Sequence, residues 1–152
     1  MSAYDTTAPV FDRYRSLPAG VPEAIRSATV AGAGDQPRPR VLDLGAGTGR
    51  IGKPFAEAGD ACFGVDLSLG MLREFAGRSR ENNECAPDLV QADGERLPFR
   101  DGIFDVVMLI QVLGGAHGWR RLLGETRRVT RARGALVIGQ AAGPAEGIDV
   151  QK

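Results

Sequence analysis

Between Val41 and Arg50 the chain reads VLDLGAGTGR, and no other stretch restricts its fold so tightly. Apolar residues flank Asp43, and glycine then takes every second position at Gly45, Gly47 and Gly49. The apolar run has the pattern of a buried strand. The glycines have the pattern of a turn that brings the backbone close to something. A carboxylate inside the strand raises the question of what it faces.

Strand and helix patterns alternate beyond this point. RVLDLG, ACFGVDLS, DLVQAD, FDVVMLIQVL and GALVIGQ read as five strands, and the fourth is almost wholly apolar from Val106 to Ile110, as expected of a central parallel strand covered on both faces. GRIGKPFAEAG predicts a short helix closed by Gly59, which Pro54 restricts to starting near it or kinking there. Ser68 is placed to cap a helix with Met71, Leu72, Phe75 and Ala76 on one face. WRRLLGETRRVT predicts an amphipathic helix with Trp119, Leu122, Leu123 and Val129 inward and its arginines outward. VFDRYRSL and PEAIRSATV read as helical segments before the sheet, with a Gly/Pro-rich loop from Ala31 to Arg40. Strands separated by helices imply right-handed crossovers and a Rossmann-like α/β sheet with helices on both faces.

The chain has 152 residues, which suits one domain: helical segments and a loop over 1–38, a core over 39–139 and a tail over 140–152. Lysine plus arginine equals aspartate plus glutamate at 19 each, so net charge points to neither nucleic acid nor an anionic membrane. The arginines from Arg120 to Arg133 read as the solvated face of a helix. Cys62 and Cys85 fit no metal spacing and read as reduced thiols. The opening MSAYDTTAPVFDRYR has acids where a signal peptide has a basic region, and no run reaches membrane-spanning length; a cytoplasmic location is expected.

In a doubly wound sheet, ligands bind at the carboxyl ends of the strands. Asp43 and Gly45, Asp66, Asp93 and Gln111 fall at the predicted ends of strands one to four. Three successive strands ending in aspartate, with a glycine turn after the first, point to a ligand site. A dinucleotide is one reading, and an NAD-dependent oxidoreductase its consequence. The third glycine, however, comes one residue early for G-x-G-x-x-G, and Asp43 would repel a pyrophosphate while favouring an ammonium.

The segment resembles motif I of the class I S-adenosylmethionine-dependent methyltransferases, an acid followed by G-x-G-x-G. GVDLSLGML is similar to the family's second motif, and QADGERLPFRDGIFDVVMLIQVL to its third and fourth segments. RVTRARGALVIG resembles the fifth strand and its lead-in, with Ala132-Arg133-Gly134 where the family has P-G-G. The likeness spans roughly Pro39 to Gly139 and has the flavour of the bacterial small-molecule enzymes. It implies the strand order 3-2-1-4-5, with the family's strands 6 and 7 missing from this sequence.

The resemblance also implies roles. Gly45, Ala46, Gly47 and Gly49 would lie against the methionine moiety, with Asp43 facing its ammonium. Asp66 would accept from both ribose hydroxyls. Leu67 and Met71 would border the adenine or else simply pack in the core, Asp93 would accept from the adenine amino group, and Gly94 would leave room for the ring. Gln111 would sit between cofactor and acceptor. The cofactor would be S-adenosylmethionine, leaving as S-adenosylhomocysteine, with no metal and a small-molecule acceptor. No catalytic residue is assigned: His117 reads as an exposed loop histidine or an acceptor contact, and Tyr14 and Arg15 as packing or part of a lid. The alternative is a cofactor-binding module without turnover. With no hairpin beyond it, the fifth strand is expected to pair with its like in a homodimer.

Overall fold

The computed structural model describes residues 8–10, 17–82, 88–113 and 117–140. Tyr14, Arg15, Cys85, most of the VFDRYRSL segment and the tail from 141 onward lie outside them. Helix α1 spans Val21–Gly32, followed by β1 (Val41–Leu44), α2 (Lys53–Glu57), β2 (Cys62–Asp66), α3 (Leu69–Glu81), β3 (Asp88–Gln91), β4 (Phe104–Ile110), α4 (Trp119–Val129) and β5 (Thr130–Gly139). The strands form one sheet in the order β3-β2-β1-β4-β5, with every pair parallel. That is the expected order, and among the described residues there is no sixth strand.

The pleat sorts side chains onto two faces. Leu42, Leu44, Val107 and Leu109 join Leu122 and Val129 of α4 in one cluster, while Val41, Val106 and Met108 join Phe55 and Ala33 in the other. Asp43 follows the odd positions of β1, so it shares a face with Val41 and has Gly64 and Met108 as its strand neighbours. On the α4 face, Phe104 meets Phe63 and Phe99 edge to face, with ring centres 5.5 and 5.0 Å away.

Helix signals act as their chemistry requires. The Ser68 hydroxyl accepts from the Met71 amide at 3.2 Å and caps α3. Pro54 sits in the first turn of α2, and Gly59 (φ 69°) follows its end.

Two expectations about α4 need correcting. Trp119 is not inward: it is 42% exposed, with the Arg120 guanidinium stacked 4.3 Å from its ring centre. It occupies the first helical position, at the carboxyl end of the parallel sheet, where the core stops; the buried residues are Leu122, Thr126 and Val129. Nor is Arg128 a solvated charge. Its guanidinium donates to the Phe99 and Leu97 carbonyls at 2.7 and 3.0 Å and pairs with Glu125 and Asp101. Glu125 in turn accepts from the Leu97 amide at 2.7 Å, so this pair fastens the Leu-Pro-Phe turn onto α4.

Strand β5 starts earlier than GALVIGQ suggests, directly after α4, and it is irregular: Phe104 pairs with Thr130, but Val106 pairs with Ala135. Within the irregularity Arg133 adopts φ 67°, a left-handed conformation that costs an ordinary side chain about 1–2 kcal/mol. Gly134 has no room for a Cβ, which would lie 2.8 Å from the Asp105 carbonyl oxygen. Arg133 is exposed, so nothing packs against a replacement. Arg133→Gly is therefore expected to gain stability, the relief exceeding the entropy lost with glycine, and to raise Tm by about 2–3 °C. A scanning calorimeter reading an unchanged or lower Tm contradicts this account.

Candidate cofactor site

The carboxyl ends of β1, β2 and β4 and the segment after β3 enclose a cavity of about 460 Å³. The glycine turn forms one wall. Gly45 and Ala46 both donate to the Val65 carbonyl, at 2.8 and 2.9 Å, which folds the chain sharply across the end of β2. Gly45 (φ 85°) and Gly47 (φ 55°) are left-handed, as the spacing of glycines anticipates.

Asp66 organises that turn before any ligand arrives. Its Oδ2 accepts from the Gly47 amide at 2.9 Å and its Oδ1 from the Ser68 amide at 2.8 Å. Each oxygen keeps a further lone pair for a ligand hydroxyl. Asp43 lies deeper, 2% exposed yet lining the cavity, and among the described residues its Oδ2 has no hydrogen-bond partner. Burial, and secondarily the Asp66 charge, pushes its carboxyl up to about 7. An unpartnered buried carboxylate oxygen at a cavity wall is complementary to a cationic ligand group.

Ten of the eleven predicted site residues line this one cavity: Asp43, Gly45, Ala46, Gly47, Asp66, Leu67, Met71, Asp93, Gly94 and Gln111. Gly49 does not. Its space is taken by the Phe75 ring, against which any Cβ there would collide, and its φ of 84° serves the turn instead. Gly94 lines the cavity, but the room beside it is filled by the protein: a Cβ would come within 2.7 Å of Leu122 Cδ1. Asp93 stands two residues past the end of β3, where its Oδ1 accepts from the Glu95 amide at 2.9 Å. Leu67 is 57% exposed and Met71 is buried, so only Met71 packs as a core residue.

Leu17, Ile51, Ile110 and Val112 also line the cavity and were not singled out from sequence. Their apolar character marks them only as core, since nothing local distinguishes a buried wall from a ligand-facing one. His117 is exposed and lines the cavity as well. Burial pushes the Cys62 thiol up, which keeps it an unreactive thiol. Among the described residues no helix is long and apolar enough to cross a membrane.

A parallel sheet in this order, with an acid-and-glycine turn at the end of its first strand, defines a class, and the comparison with known families agrees. Residues 42–138 match the family described as a methyltransferase domain, and the chain belongs to the class I S-adenosylmethionine-dependent methyltransferases. Among curated proteins it is similar to a demethylmenaquinone methyltransferase of Renibacterium salmoninarum, 34% identical over 145 residues, covering 95% of this chain and 59% of that one. A protein of the same name from Thermobifida fusca is 38% identical over 133 residues, covering 85% and 56%. The chain thus spans little more than half the length of these relatives.

Solved structures share the fold. The cyclase SpnF superposes with a TM-score of 0.74 at 22% identity, over 89% of this chain and 56% of that one. The YcgJ protein of Bacillus subtilis gives 0.68 at 24%, over 82% and 53%. One neighbour being a cyclase shows that this fold by itself does not fix the reaction.

Proposed function

We propose that this chain binds S-adenosylmethionine and forms the donor side of an enzyme that methylates an apolar small molecule of the quinone class. The observation that carries the donor assignment is the Asp43 carboxylate, which lines the cavity behind the glycine turn and whose buried Oδ2 meets no partner among the described residues. A ligand ammonium would satisfy it. Asp66 would receive the ribose hydroxyls through the lone pairs left free by Gly47 and Ser68. Leu67, Met71 and Asp93 would border the adenine.

S-adenosylmethionine supplies a methyl group already activated on sulfur, so the protein's task is chiefly alignment and exclusion of water. The acceptor class rests on two supports: the relatives are named demethylmenaquinone methyltransferases, and Leu17, Ile51, Ile110 and Val112 add apolar side chains to the lining of this cavity. Calorimetric titration with S-adenosylhomocysteine and NAD tests the donor assignment. One equivalent of S-adenosylhomocysteine is expected to bind and NAD to give no heat; the reverse result would establish the oxidoreductase reading instead.

A second copy paired along β5 belongs to the same proposal. Among the described residues β5 is hydrogen-bonded to β4 alone, and Leu136 and Ile138 on it are 43% and 49% exposed. Light scattering is expected to give twice the chain mass, with Ile138→Lys reducing it to one. A strict monomer at high concentration rules the pairing out.

A further inference from the structure

We infer that Gln111 grips the methyl acceptor by a ring oxygen. This rests on the reading that the cavity holds a methyl donor and an apolar, oxygen-bearing acceptor. Two non-glycine residues among those described have a positive φ, Gln111 at 59° and Arg133 at 67°, and of these only Gln111 lines the cavity. Glutamine gains nothing locally from that conformation, unlike asparagine or glycine. The chain holds it there by a hydrogen bond of 2.7 Å from the Gln111 amide to the Gly139 carbonyl of β5. Strain retained against such a preference is characteristic of positions that must present a side chain in one direction.

What the position presents is a neutral amide in a cavity whose lining includes several apolar side chains. Its chain neighbours Ile110 and Val112 line the same cavity, together with Ile51 and Leu17. The residue is half-buried, and among the described residues its side-chain amide makes no hydrogen bond. The carboxylates of Asp43, Asp66 and Asp93 come from the ends of β1 and β2 and from the segment after β3, whereas Gln111 follows β4. A half-buried amide that lines a cavity can hydrogen-bond to a ligand there. The amide can donate to a quinone carbonyl or accept from a hydroquinone hydroxyl, so one side chain serves both redox forms of such a ring.

The test uses the full chain with S-adenosylhomocysteine at saturation, and 1,4-naphthoquinone and naphthalene as probes. Naphthalene has the same apolar rings without the oxygens. Gln111→Ala and Gln111→Gly are each expected to weaken 1,4-naphthoquinone binding by about 5- to 10-fold, as loss of one hydrogen bond requires. Affinity for naphthalene and for S-adenosylhomocysteine should stay within about twofold, a single lost hydrogen bond having no counterpart in either. Gln111→Gly, freed of the left-handed strain, should melt no lower than the wild type. Equal losses for naphthalene and 1,4-naphthoquinone, or unchanged quinone affinity, would overturn the inference alone. A Gly variant that melts well below the wild type makes Gln111 a structural support and overturns it too. Wild-type protein that binds S-adenosylhomocysteine but not 1,4-naphthoquinone overturns the acceptor class together with this inference, and failure to bind S-adenosylhomocysteine overturns the donor assignment beneath both.

Discussion

Asp43→Asn is expected to remove a loss of stability that the wild type suffers as pH rises from about 4 to about 7. The Asp43 carboxyl is raised from 3.8 to about 7, first by burial and then by Asp66. The folded state therefore keeps a proton that the unfolded chain has released. Stability from this group is complete below the unfolded value and is lost as pH rises through the folded one. Carried across the whole interval, the penalty is about 4 kcal/mol, or about 1.4 kcal/mol for each pH unit within it. The amide cannot ionise, so the difference in unfolding free energy between variant and wild type should grow with pH and then level off above about 7. Any constant cost of seating the amide drops out, because the test reads the slope. Urea denaturation of both proteins from pH 4.5 to 8 measures it, and parallel curves would show that Asp43 is not held in its neutral form. The same linkage makes S-adenosylhomocysteine, with its ammonium, stabilise the wild type more at pH 8 than at pH 5.5.

Asp66→Ala should weaken S-adenosylhomocysteine binding by about 2–3 kcal/mol, or about 30- to 150-fold. The ribose would lose two charge-assisted hydrogen bonds. The turn would also lose the carboxylate that fixes the Gly47 amide at 2.9 Å and the Ser68 amide at 2.8 Å, so the backbone facing the methionine moiety would be less ordered. Fold loss should be modest, because Asp66 ends its strand and contributes nothing to the apolar clusters. Calorimetry decides: affinity within threefold of the wild type removes Asp66 from the site.

Much of this was legible in the chain itself. Nearly continuous apolar runs at Val41–Leu44 and Phe104–Ile110 mark strands covered on both faces, and turn residues separate them from helix-periodic stretches. From that alternation follow the parallel sheet and the gathering of strand ends, which is why Asp43, Asp66 and Gln111 line one cavity. Apolar residues that line the cavity, such as Leu17, Ile51, Ile110 and Val112, carry no local signal, since an apolar residue reads alike whether it meets a neighbour or a ligand. At Gly49 the spacing matches the turn, but the Phe75 ring, 26 residues away, takes up the space beside it.

What the sequence determined by itself is thus the order of elements, their periodicities and the residues placed at strand ends, all of which depend on near neighbours along the chain. Only the tertiary structure decided which carboxylate is sealed from water, that Arg128 fastens the Leu-Pro-Phe turn onto α4 while Trp119 stays exposed, and that Gln111 is held left-handed by a carbonyl of β5. Desolvation, ion pairing and backbone strain depend on atoms brought together from distant parts of the chain, and no local pattern records them.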